Sequence, residues 1–555
     1  MIRITELALP LEHPPEALAA AVRQRLKLRA GEPLEFTVFK RSYDARQKNS
    51  ELKFIYTLDC TVADEAALLA RHRDDRQIGP SPDTSYHPVT TAPAGFAKRP
   101  VVIGFGPCGI FAALILAQAG FKPIVLERGK GIRERTKDTW GLWRKSVLNA
   151  ESNVQFGEGG AGTFSDGKLY SQIKDPRHYG RKVLQEFVKA GAPEEILYVS
   201  KPHIGTFRLA SMVMKMRAEI IALGGEIRFQ HHVTDLVIED GRMRGLVLAD
   251  GQRIEAEHVV LAVGHSARDV FRLLHRRGVH VEAKPFSIGF RIEHPQSLID
   301  RARLGPYAGH PLLGAADYKL VHHAKNGRAV YSFCMCPGGT VVAATSEPRR
   351  VVTNGMSQYS RNERNANAGI VVGITPEDYP GGVAAGPLAG IELQEELESR
   401  AYVLGGSNYQ APAQLVGDFI AGKPSTGPGS VEPSYKPGVL WTDLAPALPD
   451  YAIEAIREAL PAFERQIPGF AMADAVLTGV ETRTSAPLRV TRGADYQSLN
   501  TRGLYPAGEG AGYAGGILSA GVDGIRVAEA LALQMTGQPL PPYLYSRGAS
   551  NDQAQ

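Results

Sequence analysis

Gly104-Phe105-Gly106-Pro107-Cys108-Gly109 stands between an apolar run, Val101-Val102-Ile103, and a segment of unbroken helical character, Pro107 to Ala119. No other feature constrains the fold of this 555-residue chain as strongly. A lone G-x-G-x-x-G string is weak. Set between a buried strand and a helix inside a βαβ unit, it becomes the turn that cradles a dinucleotide. Gly104 permits the tight turn, Gly106 admits a pyrophosphate close to the backbone, and Gly109 lets helix pack on strand. Pro107 and Cys108 then occupy the first helical turn, where unpaired N–H groups and the helix dipole favour phosphate charge. A second strand, Ile124 to Glu127, follows. It puts the Glu127 carboxylate where ribose hydroxyls would donate to it. The competing reading is a glycine turn in an ordinary parallel sheet.

Two further segments narrow the choice of dinucleotide. Gly157 to Lys168 is a glycine loop about thirty residues past Glu127. It contains Gly159, Gly160, Ala161, Gly162, Thr163 and Ser165. Near the C-terminus, a strand from Leu504 to Ala507 reaches Gly508-Glu509, turns through Gly515-Gly516 and enters a helix at Ile517. A carboxylate there suits a polyol chain, and a helix N-terminus suits negative charge on a ring carbonyl. A ribityl chain and an isoalloxazine ring meet both demands, whereas NAD has neither. The cofactor expected is FAD.

Taken together, the three segments resemble the FAD-binding flavoproteins of the glutathione-reductase-like superfold, in the branch with a single nucleotide domain. More narrowly, Phe156 to Leu169 with Gly508 to Gly524 is similar to a bacterial family of uncharacterised FAD-dependent dehydrogenases. The resemblance implies that Glu127 and Arg128 lie at the AMP end and Gly160 to Ser165 near the diphosphate and flavin. It puts Val233 at an adenine-contacting position and Gly264 at a strand end. Glu509 would bind ribityl, and Gly515 to Ile517 would face the flavin pyrimidine. No second G-x-G-x-x-G follows a strand in the middle of the chain, and no C-x-x-C lies beside the flavin loop. Any NAD(P)H would therefore bind transiently in the substrate cleft, or the electron donor is something else.

The substrate side is less legible. Arg483, in Glu481-Thr482-Arg483, is a candidate to clamp a substrate carboxylate bidentately, against the reading of an Arg–Glu surface pair. Lys168 beside Asp166 is either a flavin-side charge or a loop salt bridge. Cys336, in Cys334-Met335-Cys336, is a redox candidate, although cysteines two apart form only a strained bridge. A buried turn is the simpler alternative. The histidine pairs at 231–232 and 322–323 lack ligand spacing, so no metal is expected. No residue is assigned as the catalytic acid or base.

The expected fold class is α/β: a discontinuous Rossmann-like FAD-binding domain, an inserted α+β substrate or cap domain, and a small N-terminal α+β domain. The boundaries read as 1–95 for the N-terminal domain, 96–275 and 481–545 for the FAD domain, and 276–480 for the cap. The last of these reads as mixed and polar, with weak periodicity. A net charge of +5 with no long basic cluster disfavours a nucleic-acid partner. The basic stretch Lys40 to Lys48 reads as a solvated hairpin. Four cysteines are too few for a disulfide framework, and no apolar run is long enough to span a bilayer. A cytoplasmic setting with no membrane partner is expected. These features lead to an FAD-dependent oxidoreductase acting on a small-molecule substrate. The alternatives are a flavin-dependent RNA-modifying enzyme and a non-catalytic, redox-sensing flavoprotein.

Overall fold

The computed structural model describes residues 1–44 and 52–544 and shows a mixed α/β protein. The N-terminal unit is a four-stranded sheet, in spatial order Leu34–Asp44, Lys53–Val62, Ile2–Pro10, Ile78–Pro80. Lys40 to Asp44, read from sequence as part of a solvated hairpin, is strand paired antiparallel with Lys53–Thr57. An edge strand tolerates such polar residues because its outer face needs no burial. The rest of that basic stretch lies outside the described residues.

The glycine motif belongs to a five-stranded, all-parallel sheet. Its order is Leu504–Pro506, Val259–Leu261, Val101–Ile103, Ile124–Glu127, Glu226–Phe229. Parallel strands are covered on both faces, which is why Val101-Val102-Ile103 and Val259-Val260-Leu261 are continuous apolar runs. Glu226–Phe229 forms the edge of this sheet beside Ile124–Glu127. The hairpins at Asp240-Gly241 and Asp250-Gly251 form a separate three-stranded sheet.

The helix Pro107–Gln118 is almost wholly buried, and the helix Ile517–Met535 packs along it. Small residues set their separation. A Cβ on Gly524 would stand 2.3 Å from the Cys108 carbonyl oxygen. One charged group is caught in this layer. Glu529 accepts a 2.6 Å hydrogen bond from Tyr179, while its Oε1 is unpartnered. Burial pushes its carboxyl up to about 7. Below its unfolded value near 4.5 both states hold the proton; as pH rises toward 7 only the unfolded chain gains by ionising, so stability falls. Glu529→Gln is expected to raise Tm relative to the parent more at pH 8 than at pH 5, read by thermal melts. Equal shifts at both values would contradict that burial cost.

Residues 276–480 depart from the polar reading. They hold most of an eight-stranded sheet whose strand Phe286–Pro295 lies between Asn365–Ile374 and Val476–Glu481. The largest apolar cluster of the protein lies here, under the helix Asp450–Glu464. These strands are buried on both faces, so the alternation that marks a half-exposed strand is absent.

Candidate functional site

The turn after Val101–Ile103 is built as the motif requires. Gly104 has φ +96°, and a Cβ there would strike the Ala262 carbonyl oxygen at 2.3 Å. Gly106 is the N-cap of the helix Pro107–Gln118 with no side-chain cap, leaving the first-turn N–H groups free for an anion. Gly109 does not face the cavity; its Cβ would stand 2.0 Å from the Gly104 carbonyl oxygen.

The glycine loop at 157–162 folds onto this turn. Gly157, Gly159 and Gly160 all have positive φ, and Gly159 N–H donates to the Phe105 carbonyl at 2.8 Å. A Cβ on Gly160 would approach the Gly106 Cα to 2.8 Å. Arg135, fully buried, braces the loop by donating to the carbonyls of Asn153, Val154, Gly157 and Glu158. The C-terminal segment closes the arrangement. A Cβ on Gly508 would meet the Cys108 Cβ at 2.8 Å, and one on Gly162 would meet Ile517 at 3.1 Å.

These three segments surround a cavity of about 390 Å³. Gly104, Gly106, Pro107, Cys108, Glu127 and Arg128 line one part of it. Gly160, Ala161, Gly162, Ser165, Val233, Gly264, Glu509, Gly515, Gly516 and Ile517 line it as well. Gly109, Gly159, Thr163 and Gly508 are absent from the wall and act by shaping the chain behind it. Glu127 has a further role that its spacing did not reveal. Its Oε2 accepts from Phe105 N–H at 2.9 Å, and its Oε1 from Gly129 and Gly157 N–H at 2.8 and 2.9 Å. The carboxylate therefore ties the two glycine loops together and keeps about one acceptor position free, of the roughly four a carboxylate offers. Arg128 lies 4.1 Å over the Phe156 ring and pairs with Glu151 and Asp269.

On the other side the expectations need correction. Arg483 lines the cavity, but both edges of its guanidinium are taken. Nε and Nη2 bond Glu398 at 2.9 and 2.8 Å, while Nη1 bonds Ser266 and Ser346. Arg268 grips the same Glu398, which is fully buried. Arg483 is thus half of a buried ion-pair network and cannot clamp a substrate bidentately. Glu481 also lines the cavity but pairs with Arg291 and accepts from Thr353. Cys336 is buried off the cavity; of this pair it is Cys334 that lies on the wall.

Lys168 keeps its place on the wall. Its ammonium bonds Asp166 at 2.7 Å and the Met335 carbonyl, and Arg361 holds the other side of Asp166. Burial disfavours both charges, yet Lys168 and Arg361 hold the Asp166 carboxyl far below the ordinary range, and Asp166 holds Lys168 above its own. Lys168 is therefore a fixed positive charge at neutral pH, unsuited to act as a base. His231, His232, Tyr170, Phe333 and Asn354 also face the cavity. Only the position of the histidines next to Val233 could have signalled this.

Residues 285–484 match a family model described as "FAD-dependent protein, C-terminal domain-like", and residues 199–331 one described as "FAD dependent oxidoreductase". Residues 1–61 match a domain of unknown function. The fold and the matched models define an FAD-dependent oxidoreductase class. Within it, the chain belongs to the family of an "Uncharacterized protein" of Clostridium beijerinckii. The two are 48% identical over 529 residues, 95% of this chain and 98% of the relative. Among solved structures, a flavoprotein/dehydrogenase from Cytophaga hutchinsonii is 13% identical with a TM-score of 0.37, over 80% of each chain. A glycine oxidase from Geobacillus kaustophilus is 12% identical with a TM-score of 0.35, over 81% of this chain and 98% of that one. No helix among the described residues is long and apolar enough to cross a membrane.

Proposed function

We propose that the cavity holds FAD and that the protein moves a hydride between the flavin N5 and a small organic substrate. The observation that carries this reading is the meeting of three glycine segments, remote in sequence, around one cavity, packed so closely that Cβ atoms on Gly104, Gly160 and Gly508 would collide with neighbouring chain. The residues fit the cofactor. Gly104 to Cys108, at a helix N-terminus, would hold the diphosphate. Glu127 and Arg128 would hold the AMP end. Glu509, whose Oε2 lies 3.4 Å from His265 Nδ1, would accept from a ribityl chain. The uncapped N-terminus of the helix Ile517–Met535 would meet the pyrimidine edge of the ring. When bound, FAD supplies hydride-transfer chemistry.

The chain's own part is to orient and to set charge. Lys168, fixed as an ammonium by Asp166, favours negative charge on a substrate group that enters beside it. The discontinuous parallel sheet and the larger, mostly antiparallel sheet act as nucleotide and substrate units, with NAD(P)H visiting the cleft as electron donor. Anaerobic stopped-flow mixing of the FAD-loaded protein with NADH or NADPH tests this. Bleaching of the visible flavin band, reversed by a small organic acceptor, is expected. A flavin that neither nucleotide reduces would contradict the donor assignment, and one that no acceptor reoxidises would contradict the enzyme reading.

A further inference from the structure

The strand Ala329–Ala343 breaks register twice against Asn365–Ile374, between Phe333 and Cys336 and again between Cys336 and Gly339. Bulges of this kind re-aim side chains beside functional sites. Here the break gives Cys334 a left-handed backbone, φ +44°, unusual for a residue with a side chain. In a regular strand residues 334 and 336 would point to the same face. Instead Cys334 faces the cavity and Cys336 is fully buried behind it, its Sγ donating to the Cys334 carbonyl at 3.3 Å. The Cys336 thiol therefore folds back toward residue 334.

The bulge is held by cations. Arg291 Nη1 donates to the Cys334 carbonyl at 3.1 Å, and Lys168 donates to the Met335 carbonyl. Gly355 makes the room, since a Cβ there would fall 2.4 Å from Arg291 Nη1 and 3.0 Å from the Cys336 Sγ. The charged groups around the two sulfurs are Lys168 and Arg291, opposed by Glu481 and Asp166. Hydrogen bonding with Cys336 pulls the Cys334 thiol below its ordinary range; burial opposes this, and Lys168 and Arg291 assist it. The same coupling and burial push Cys336 up. One sulfur is disposed to be a thiolate and the other a proton-bearing partner, the division of labour that thiol–disulfide chemistry uses.

We propose that Cys334 and Cys336 form a redox-active thiol pair that exchanges two electrons with FAD in the cavity, Cys334 being the reactive thiol and Cys336 its buried partner. Forming the Cys334–Cys336 bond releases two electrons and two protons, which the oxidant FAD takes up as FADH2. Run in reverse, FADH2 reduces the bridge to two thiols. A strained two-apart bridge suits exchange better than permanent bracing, because strain makes it easier to reduce. The pair would give the flavin a second two-electron store and a route to thiol or disulfide substrates.

The inference rests on FAD occupying the cavity, so the test has one arm that does not need the cofactor. The full-length protein without FAD is treated with diamide, alkylated and mapped by mass spectrometry. A bridge between Cys334 and Cys336 is expected, with Cys60 and Cys108 alkylated only after unfolding. In the second arm the oxidised, FAD-loaded protein is titrated anaerobically with dithionite. Uptake of four electrons per flavin is expected, halved to two in both Cys334→Ser and Cys336→Ser. Two free thiols after diamide, or two-electron uptake by the fully loaded parent, would overturn the proposal. A normal bridge in a protein that binds no FAD would instead overturn the partner of the exchange.

Discussion

Replacing Glu398 by glutamine is expected to cost the fold about 3–5 kcal/mol, the range for removing one partner of a buried ion pair. Glu398 is fully buried in the helix Ala389–Leu404, gripped from one side by Arg268 and from the other by Arg483. Thr482 also donates to it at 2.9 Å. Burial alone would favour the neutral acid, yet the two guanidinium groups hold its carboxyl far below the ordinary range. Glutamine keeps the shape but leaves two buried cations facing an uncharged amide. Because the folded-state value is depressed, the stability from ionised Glu398 is present above its unfolded value near 4.5 and is lost as pH falls below it. Chemical denaturation at pH 7 and pH 4 reads both effects. A variant within 1 kcal/mol of the parent at pH 7, on the scale of an exposed pair, would show that the network is not a structural keystone.

Gly160→Ala is expected to abolish high-affinity FAD binding and to lower stability by about 1–3 kcal/mol. Gly160 has φ +62° and ψ −168°, a region open in practice only to glycine. Its missing side chain also lets the second glycine loop lie against the first, where a methyl group would come within 2.8 Å of the Gly106 Cα. The loops must separate or twist, and both carry cavity wall. Fluorescence titration with FAD and thermal melting separate the two consequences. Unchanged affinity would mean that the close approach of the loops does not shape the cofactor site.

The glycine segments are legible in the sequence because their meaning is local. A turn between strand and helix, a positive φ and a close backbone approach are all written within a few residues. The opposite case is Arg483. Its partners Ser266, Ser346 and Glu398 lie 217, 137 and 85 residues away, so nothing near Arg483 distinguishes a substrate clamp from a buried brace. Cys334 and Cys336 fail for a related reason. Strand alternation puts residues two apart on one face, and the bulge that separates them depends on pairing with Asn365–Ile374. The sheet across residues 276–480 was read as polar and irregular because its strands pair over long separations and are buried on both faces. Glu127 lies between the extremes. Its position at a strand end was legible, but its three backbone donors come from loops that meet only in the folded chain.

The central claim is that the convergent glycine segments enclose one FAD. Equilibrium titration of the purified protein with FAD, followed by visible absorbance after removal of free cofactor, tests it most directly. One flavin retained per chain is expected, displaying the flavin absorbance bands and lost in Gly160→Ala. A folded protein that retains no flavin after saturation would contradict it.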